Sequence, residues 1–240
     1  MHVPRRPCHI RRTLATAAAL GLTALGLTAL SAAPAAALPL QCTGTETPGN
    51  DTVTCPFLLA GQSINTGAGD DTVTVSGRAG GTINTGTGSD IVQNPEGGLY
   101  GRINTGDGDD RVVTSQIFGR LDLGSGNDQA ELGTLSGAIV LVPAVVTGGP
   151  GNDQIRISSE VGLAPFCHGA RVQGDDGADT ITVTGDLSSI YCTYLGGAGN
   201  DTITVTPQNV SESNTLDGGG GTDTCTVTPL VGNTRINCEN

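Results

Sequence analysis

Lysine is missing from the chain altogether, and so is tryptophan. Of 240 residues only six are aromatic, three Tyr and three Phe. All 11 positive side chains are arginines, and four of them fall in the first twelve residues. Residues 38–240 hold 7 arginines against 23 acidic side chains, a net charge of −16. With no basic patch to neutralise phosphates, the chain is not expected to bind nucleic acid. An anionic membrane surface is a poor partner for the same reason. A cation is the natural one. The shortage of aromatics also argues against a conventional globular core. It suits a repeat array, in which each thin coil buries one or two small apolar residues per strand against its neighbours.

Long apolar runs are scarce too. The first opens the chain: MHVPRRPCHIRR is basic, TLATAAALGLTALGLTAL is apolar, and SAAPAAA ends in small residues. That order is the grammar of a secretory signal peptide over residues 1–37, with cleavage after Ala37. A retained membrane anchor is the competing reading, and Arg11-Arg12 raises a twin-arginine variant of export. No second such run follows, so residues 38–240 are expected to form one soluble, secreted domain.

What the chain has in abundance is a short glycine-rich phrase. GGAGNDTITV (196–205) places one carboxylate at the end of a loop with almost no side chains, then starts a strand. Counting that Asp as position 6, the phrase recurs nine times, at Asp51, Asp71, Asp90, Asp110, Asp128, Asp153, Asp179, Asp201 and Asp223. Position 4 is always glycine: Gly49, Gly69, Gly88, Gly108, Gly126, Gly151, Gly177, Gly199 and Gly221. Position 2 is glycine in seven copies, Gly67, Gly86, Gly106, Gly124, Gly149, Gly197 and Gly219. Two residues after the Asp stands Val53, Val73, Val92, Val112, Ala130, Ile155, Ile181, Ile203 or Cys225. Seven before it, eight copies carry Ile64, Ile83, Ile103, Leu121, Val146, Val172, Tyr194 or Leu216. The aspartates lie 18 to 26 residues apart, a period that points to a solenoid.

Stretches such as TVTV (72–75), TITV (180–183) and TCTV (224–227) alternate polar and apolar, as a strand with one buried face does. Glycine before each strand permits positive φ and close backbone approach. Each repeat therefore predicts one coil of two short strands and two turns, giving an all-β parallel solenoid of about nine coils. Stacked strands lie about 4.8 Å apart, so the nine aspartates fall in one column. Two bare carboxylates at that spacing repel by about 3.5 kcal/mol at an effective dielectric near 20. Calcium would relieve this, since it takes six to eight oxygens and mixes carboxylates with carbonyls. Magnesium demands tighter octahedral geometry. Zinc wants Cys and His, and the processed chain has a single histidine, His168. Nine loops leave at most eight gaps for ions.

The pattern G-G-x-G-x-D-x-U-x, U apolar, resembles the calcium-binding nonapeptide of the RTX, or hemolysin-type, family. GGPGNDQIR (148–156), GGAGNDTIT (196–204) and GGGGTDTCT (218–226) carry it at every fixed position, taking Cys225 as apolar. The likeness covers roughly residues 44–228. It implies a right-handed parallel β-roll with calcium between successive turns. It makes the nine aspartates carboxylate ligands, and the glycines at positions 1, 2 and 4 sources of carbonyls or room for them. Here one motif falls in each coil, so one calcium column and one irregular side are expected. The copies ending at Asp51 and Asp179 depart most, with ETPGND and GDDGAD.

Six cysteines remain after processing: Cys42, Cys55, Cys167, Cys192, Cys225 and Cys238. Export favours disulfides over free thiols. Cys42–Cys55 and Cys225–Cys238 would staple the two ends of the array, with Cys167–Cys192 between. Other features have plainer readings. Cys167 beside His168 could suggest a catalytic pair, and Asp109-Asp110 or Asp175-Asp176 paired acids for glycoside hydrolysis. Neighbours in sequence rarely face each other, and the acids belong to the repeat. The expected function is calcium binding by a secreted, non-enzymatic protein with a structural or adhesive role. An ice- or polysaccharide-binding face built on the threonine rows is the alternative, with a calcium-dependent extracellular enzyme behind it. A glycan or other surface partner remains open.

Overall fold

A computed structural model describes residues 38–39, 41–135, 143–159, 169–185, 191–207, 213–228 and 232–239, all within one compact unit, Pro34–Asn240. The expected signal segment and the pair Cys167–His168 lie outside these residues. Among them there is no helix. In chain order the strands are β1 (Thr43–Gly44), β2 (Thr52–Cys55), β3 (Ser63–Ala68), β4 (Thr72–Val75), β5 (Thr82–Thr87), β6 (Ile91–Leu99), β7 (Arg102–Asp107), β8 (Arg111–Ile117), β9 (Arg120–Ser125), β10 (Gln129–Leu135), β11 (Val145–Pro150), β12 (Gln154–Ser159), β13 (Arg171–Asp176), β14 (Thr180–Gly185), β15 (Thr193–Ala198), β16 (Thr202–Pro207), β17 (Thr215–Gly220), β18 (Thr224–Val227) and β19 (Thr234–Ile236).

The strands sort by parity. β2 and the even strands form one sheet in stacking order, edged by β1; the odd strands from β3 to β19 form the other. Every pairing is parallel except β1 with β2. The molecule is therefore a β-solenoid. It has eight complete two-strand coils from β3–β4 to β17–β18, with β2 and β19 as half-coils at the ends. The sequence led us to expect about nine. The first Asp turn falls short because, among the described residues, no odd-sheet strand precedes Asp51; Pro48 makes an isolated bridge to Ala68.

The register is set by the apolar ladders. In the even sheet Val53, Val73, Val92, Val112, Ala130, Ile155, Ile181, Ile203 and Cys225 stack in one row. In the odd sheet the row is Ile64, Ile83, Ile103, Leu121, Val146, Val172, Tyr194 and Leu216. Both rows are buried. A one-residue slip would turn each row out to solvent, so the alternation of apolar residues selects this register. Tyr194 is the one bulky member, and it too is buried.

The ends are stapled as expected. Cys42–Cys55 ties the residue just before β1 to the end of β2, and Cys225–Cys238 ties the segment after β19 to β18. Cys192 is buried and oxidised. These bridges belong to an oxidising compartment. β6 carries the one register shift, between Asn94 and Gly98. There the buried Asn94 amide donates to the carbonyls of Val75 and Gly77 at 2.7 and 2.6 Å, replacing ladder bonds the bulge breaks.

Candidate metal centre

Period-2 alternation puts position 6 on the same face as the apolar residue two places on. Each motif Asp accordingly points inward, at the edge of the core beneath its glycine turn. All nine are buried, none more than 3 % exposed. One oxygen of each is spoken for. Asp71 Oδ1 accepts the backbone N–H of Asp51 at 2.7 Å. The link repeats at 2.8 Å from Asp71 to Asp90, Asp90 to Asp110, Asp110 to Asp128, Asp128 to Asp153, Asp153 to Asp179, Asp179 to Asp201, and Asp201 to Asp223. The carboxylate of each coil thus closes the turn amide of the coil before it.

The second oxygen is different. Oδ2 of Asp71, Asp90, Asp110, Asp128, Asp153, Asp179, Asp201 and Asp223 is buried and has no hydrogen-bond partner. Eight orphaned carboxylate oxygens in register is a costly arrangement, because each gives up hydration and gains nothing. Burial pushes the carboxyls upward in pKa: Asp110 and Asp153 to about 6, Asp179 to about 7, and Asp128 to about 8. At Asp128 the charges of Asp153 and Asp110 add to the effect. Asp90 and Asp201 rise for the same first reason, burial, and the backbone amide each accepts pulls the other way.

Asp51 stands apart. Thr45 and Thr47 hydroxyls donate to its Oδ1 at 2.7 and 2.9 Å, and the Thr47 amide donates to Oδ2 at 2.5 Å. Burial raises its pKa, but these donors outweigh that and leave it below the ordinary value. Its carboxylate is already satisfied by its own loop. Asp179, in the other divergent copy, behaves like the rest, because Asp175 takes a positive φ of 82°, on the same side of the map as the 99° to 127° that glycine holds elsewhere at position 2. At the far end Glu239 takes the place of a tenth Asp and accepts the Asp223 amide through Oε2.

The glycines divide by role. At positions 2 and 4, from Gly67 to Gly126 and again in Gly149, Gly151, Gly177, Gly197, Gly199, Gly219 and Gly221, φ lies between +99° and +149°. A Cβ on Gly86, Gly106, Gly124, Gly197 or Gly219 would sit within 2.0 Å of the carbonyl oxygen of the previous coil. Gly49, in the divergent first loop, meets nothing.

Position 5 was not singled out by sequence, although its residues recur as Asn or Asp. On the outside of the turn these side chains accept the position-5 amide of the next coil. Asn50 serves Asp70, Asp70 serves Ser89, Asp109 serves Asn127, Asn127 serves Asn152, Asn152 serves Ala178, and Asn200 serves Thr222, at 2.8 to 3.0 Å. Asp109 is therefore exposed while Asp110 is buried, and the two cannot act as a catalytic pair.

The side-chain atoms free to take a ligand in this column are carboxylate oxygens, which suit a hard cation over zinc or copper. Among the described residues no three Asp, Glu, His or Cys side chains converge on one point. A cation here would take one or two stacked carboxylates and fill its shell from backbone carbonyls. The residues fit such an ion. Eight buried Oδ2 atoms lack a partner, and four of them press against the position-1 glycine of their own turn, Gly148, Gly174, Gly196 or Gly218, where a Cβ would collide with them. No family model, curated protein or solved structure matches the chain.

Proposed function

We propose that the chain is a secreted repeat protein that binds calcium along its aspartate column, and that the ions are structural. The observation that carries this reading is the row of eight buried, unpartnered Oδ2 atoms in register. Protons or cations must neutralise such a row for the folded chain to persist near neutral pH. A bound calcium ion would supply the positive charge and accept the carbonyls that glycine turns expose. The likeness to the RTX nonapeptide supports the choice of ion, and the disulfides and N-terminal segment support export. Binding available only to the folded state adds to folding stability. In a calcium-poor cytosol the column therefore opposes folding, and outside the cell it favours it. The work of such a molecule is structural or adhesive rather than catalytic.

The test is circular dichroism and thermal melting of residues 38–240 in chelator, then with calcium, then with magnesium. Calcium should raise β-content and the melting temperature, and magnesium should do so far less. A protein with the same spectrum and melting temperature in chelator and in calcium would refute the reading.

A second reading draws on the even sheet. Thr180, Thr202 and Thr224 are in register, as are Thr182, Thr204 and Thr226, with Thr184 beside Thr206. Such a block of hydroxyls and methyls suits ice or a polysaccharide. It breaks at Gln154 and Arg156, which limits it to three strands.

A further inference from the structure

We propose that cations load only the last four turns of the column, those of Asp153, Asp179, Asp201 and Asp223, and that the turns of Asp71, Asp90, Asp110 and Asp128 close without one. This rests on the column being a cation site at all. What separates the two groups is position 1, five residues before each Asp.

In the first group position 1 is Thr66, Thr85, Thr105 or Leu123, all buried. The threonines occupy the gap to the next coil. Thr66 Oγ1 donates to Thr85 O at 3.2 Å, Thr85 Oγ1 to Thr105 O at 2.9 Å, and Thr105 Oγ1 to Leu123 O at 2.5 Å. Each hydroxyl thus consumes the carbonyl that an ion between those coils would need. Leu123 fills the corresponding place in the Asp128 turn with hydrocarbon.

In the second group position 1 is Gly148, Gly174, Gly196 or Gly218. None has a positive φ, so the backbone does not require glycine there. The space does. A Cβ would lie 2.2, 2.1, 2.3 and 2.6 Å from Oδ2 of Asp153, Asp179, Asp201 and Asp223 respectively. The same point lies 2.6, 2.6, 2.4 and 2.1 Å from the carbonyls of Gly174, Gly196, Gly218 and Asn237. An unpartnered carboxylate oxygen of one coil and a carbonyl of the next therefore both crowd the position a side chain would take, so that two acceptors are brought toward each other across each of these glycines. The hydroxyl that satisfies the equivalent carbonyl in the first three threonine turns is absent. That is the donor pair a hard cation takes, repeated four times in succession.

The solenoid then consists of two segments. β3–β10 folds by its own packing and threonine bonds, while β11–β18 depends on ions. Hydrogen exchange on the unmodified secreted chain in chelator should leave amides of Ser63–Leu135 protected and those of Val145–Val227 exchanging. Calcium should protect the second set, and native mass spectrometry should count four ions, one for each glycine space. Thr85→Gly should add one ion and Gly196→Thr should remove one. Exchange lost evenly along both segments, or about eight ions spread over the column, would overturn the division while leaving the cation reading intact. An absence of bound calcium by mass spectrometry would remove the reading beneath it as well.

Discussion

Gly199 offers the sharpest test of how the coils are held together. Its φ is 142°, and a Cβ built on it would lie 1.8 Å from Gly177 O and 2.5 Å from Gly177 C. Alanine there meets two costs. The left-handed side of the map costs about 1–2 kcal/mol. The contact must also open to about 3.3 Å, the nearest approach of a carbon to a carbonyl oxygen. That displacement pulls on two 2.7 Å bonds of the turn, Gly177 N–H to Ala198 O and Gly199 N–H to Gly220 O. Each contributes about 1 kcal/mol. Gly199→Ala should therefore lose about 4 kcal/mol, and the melting temperature in calcium should fall by about 10 °C for a domain of this size. Gly220, the acceptor in the second bond, is the control. It is exposed, has no positive φ, and a Cβ on it meets nothing within 4 Å. Gly220→Ala should stay within about 0.5 kcal/mol of the parent. If the two variants melted together by circular dichroism, close coil-on-coil packing would not be what selects glycine at position 4.

Two further outcomes are expected. Asp175 is the non-glycine at position 2 in the stacked coils, held at a φ of 82° and repelled by Asp122 and Asp176; Asp175→Gly should raise stability by about 1 kcal/mol, and a lower melting temperature would refute the strain. In chelator, the folded β3–β10 segment binds protons more tightly than the unfolded chain, since Asp128 and Asp110 sit at about 8 and about 6 against an ordinary 3.8. Stability should therefore be fullest below about pH 4 and decline through pH 8, with Asp128 alone costing about 4 kcal/mol at pH 7 and about 2 once solvent screening is counted; denaturant midpoints that rise from pH 5 to pH 8 would contradict this.

The coil, its register and its end staples were legible because each rests on a period. Ile203 two residues after Asp201 and Tyr194 seven before it fix which faces turn inward, and stacking follows from repetition. The fate of the carboxylates was not legible. Two oxygens and two amides meet at each turn, and nothing in the order of residues says that Oδ1 would take the amide of the previous coil and leave Oδ2 alone. Asn152 and Asn200 were visible as turn formers, but their outward ladder depends on which side of the strand a turn leaves. Position 1 is Glu, Thr, Leu or Gly among the nine copies, and the order of residues does not say what that difference does. Only the space around Gly174 and the hydroxyl of Thr85 show it. Asp51 could be doubted from its divergent loop, yet the partners that satisfy it, Thr45 and Thr47, carry no repeat signal.

A stack that repeats one lock is close to being a fibre, because its last coil presents the same face that every coil before it used to add a neighbour. Here that growth is blocked at both tips by residues outside the pattern. Thr45 and Thr47 saturate the Asp51 carboxylate, β1 runs against the grain of β2, and Glu239 seals the amide of Asp223. Among the described residues the carboxylate–amide lock that joins successive coils is thus closed at both tips, which disfavours end-to-end addition of a second molecule along the aspartate column.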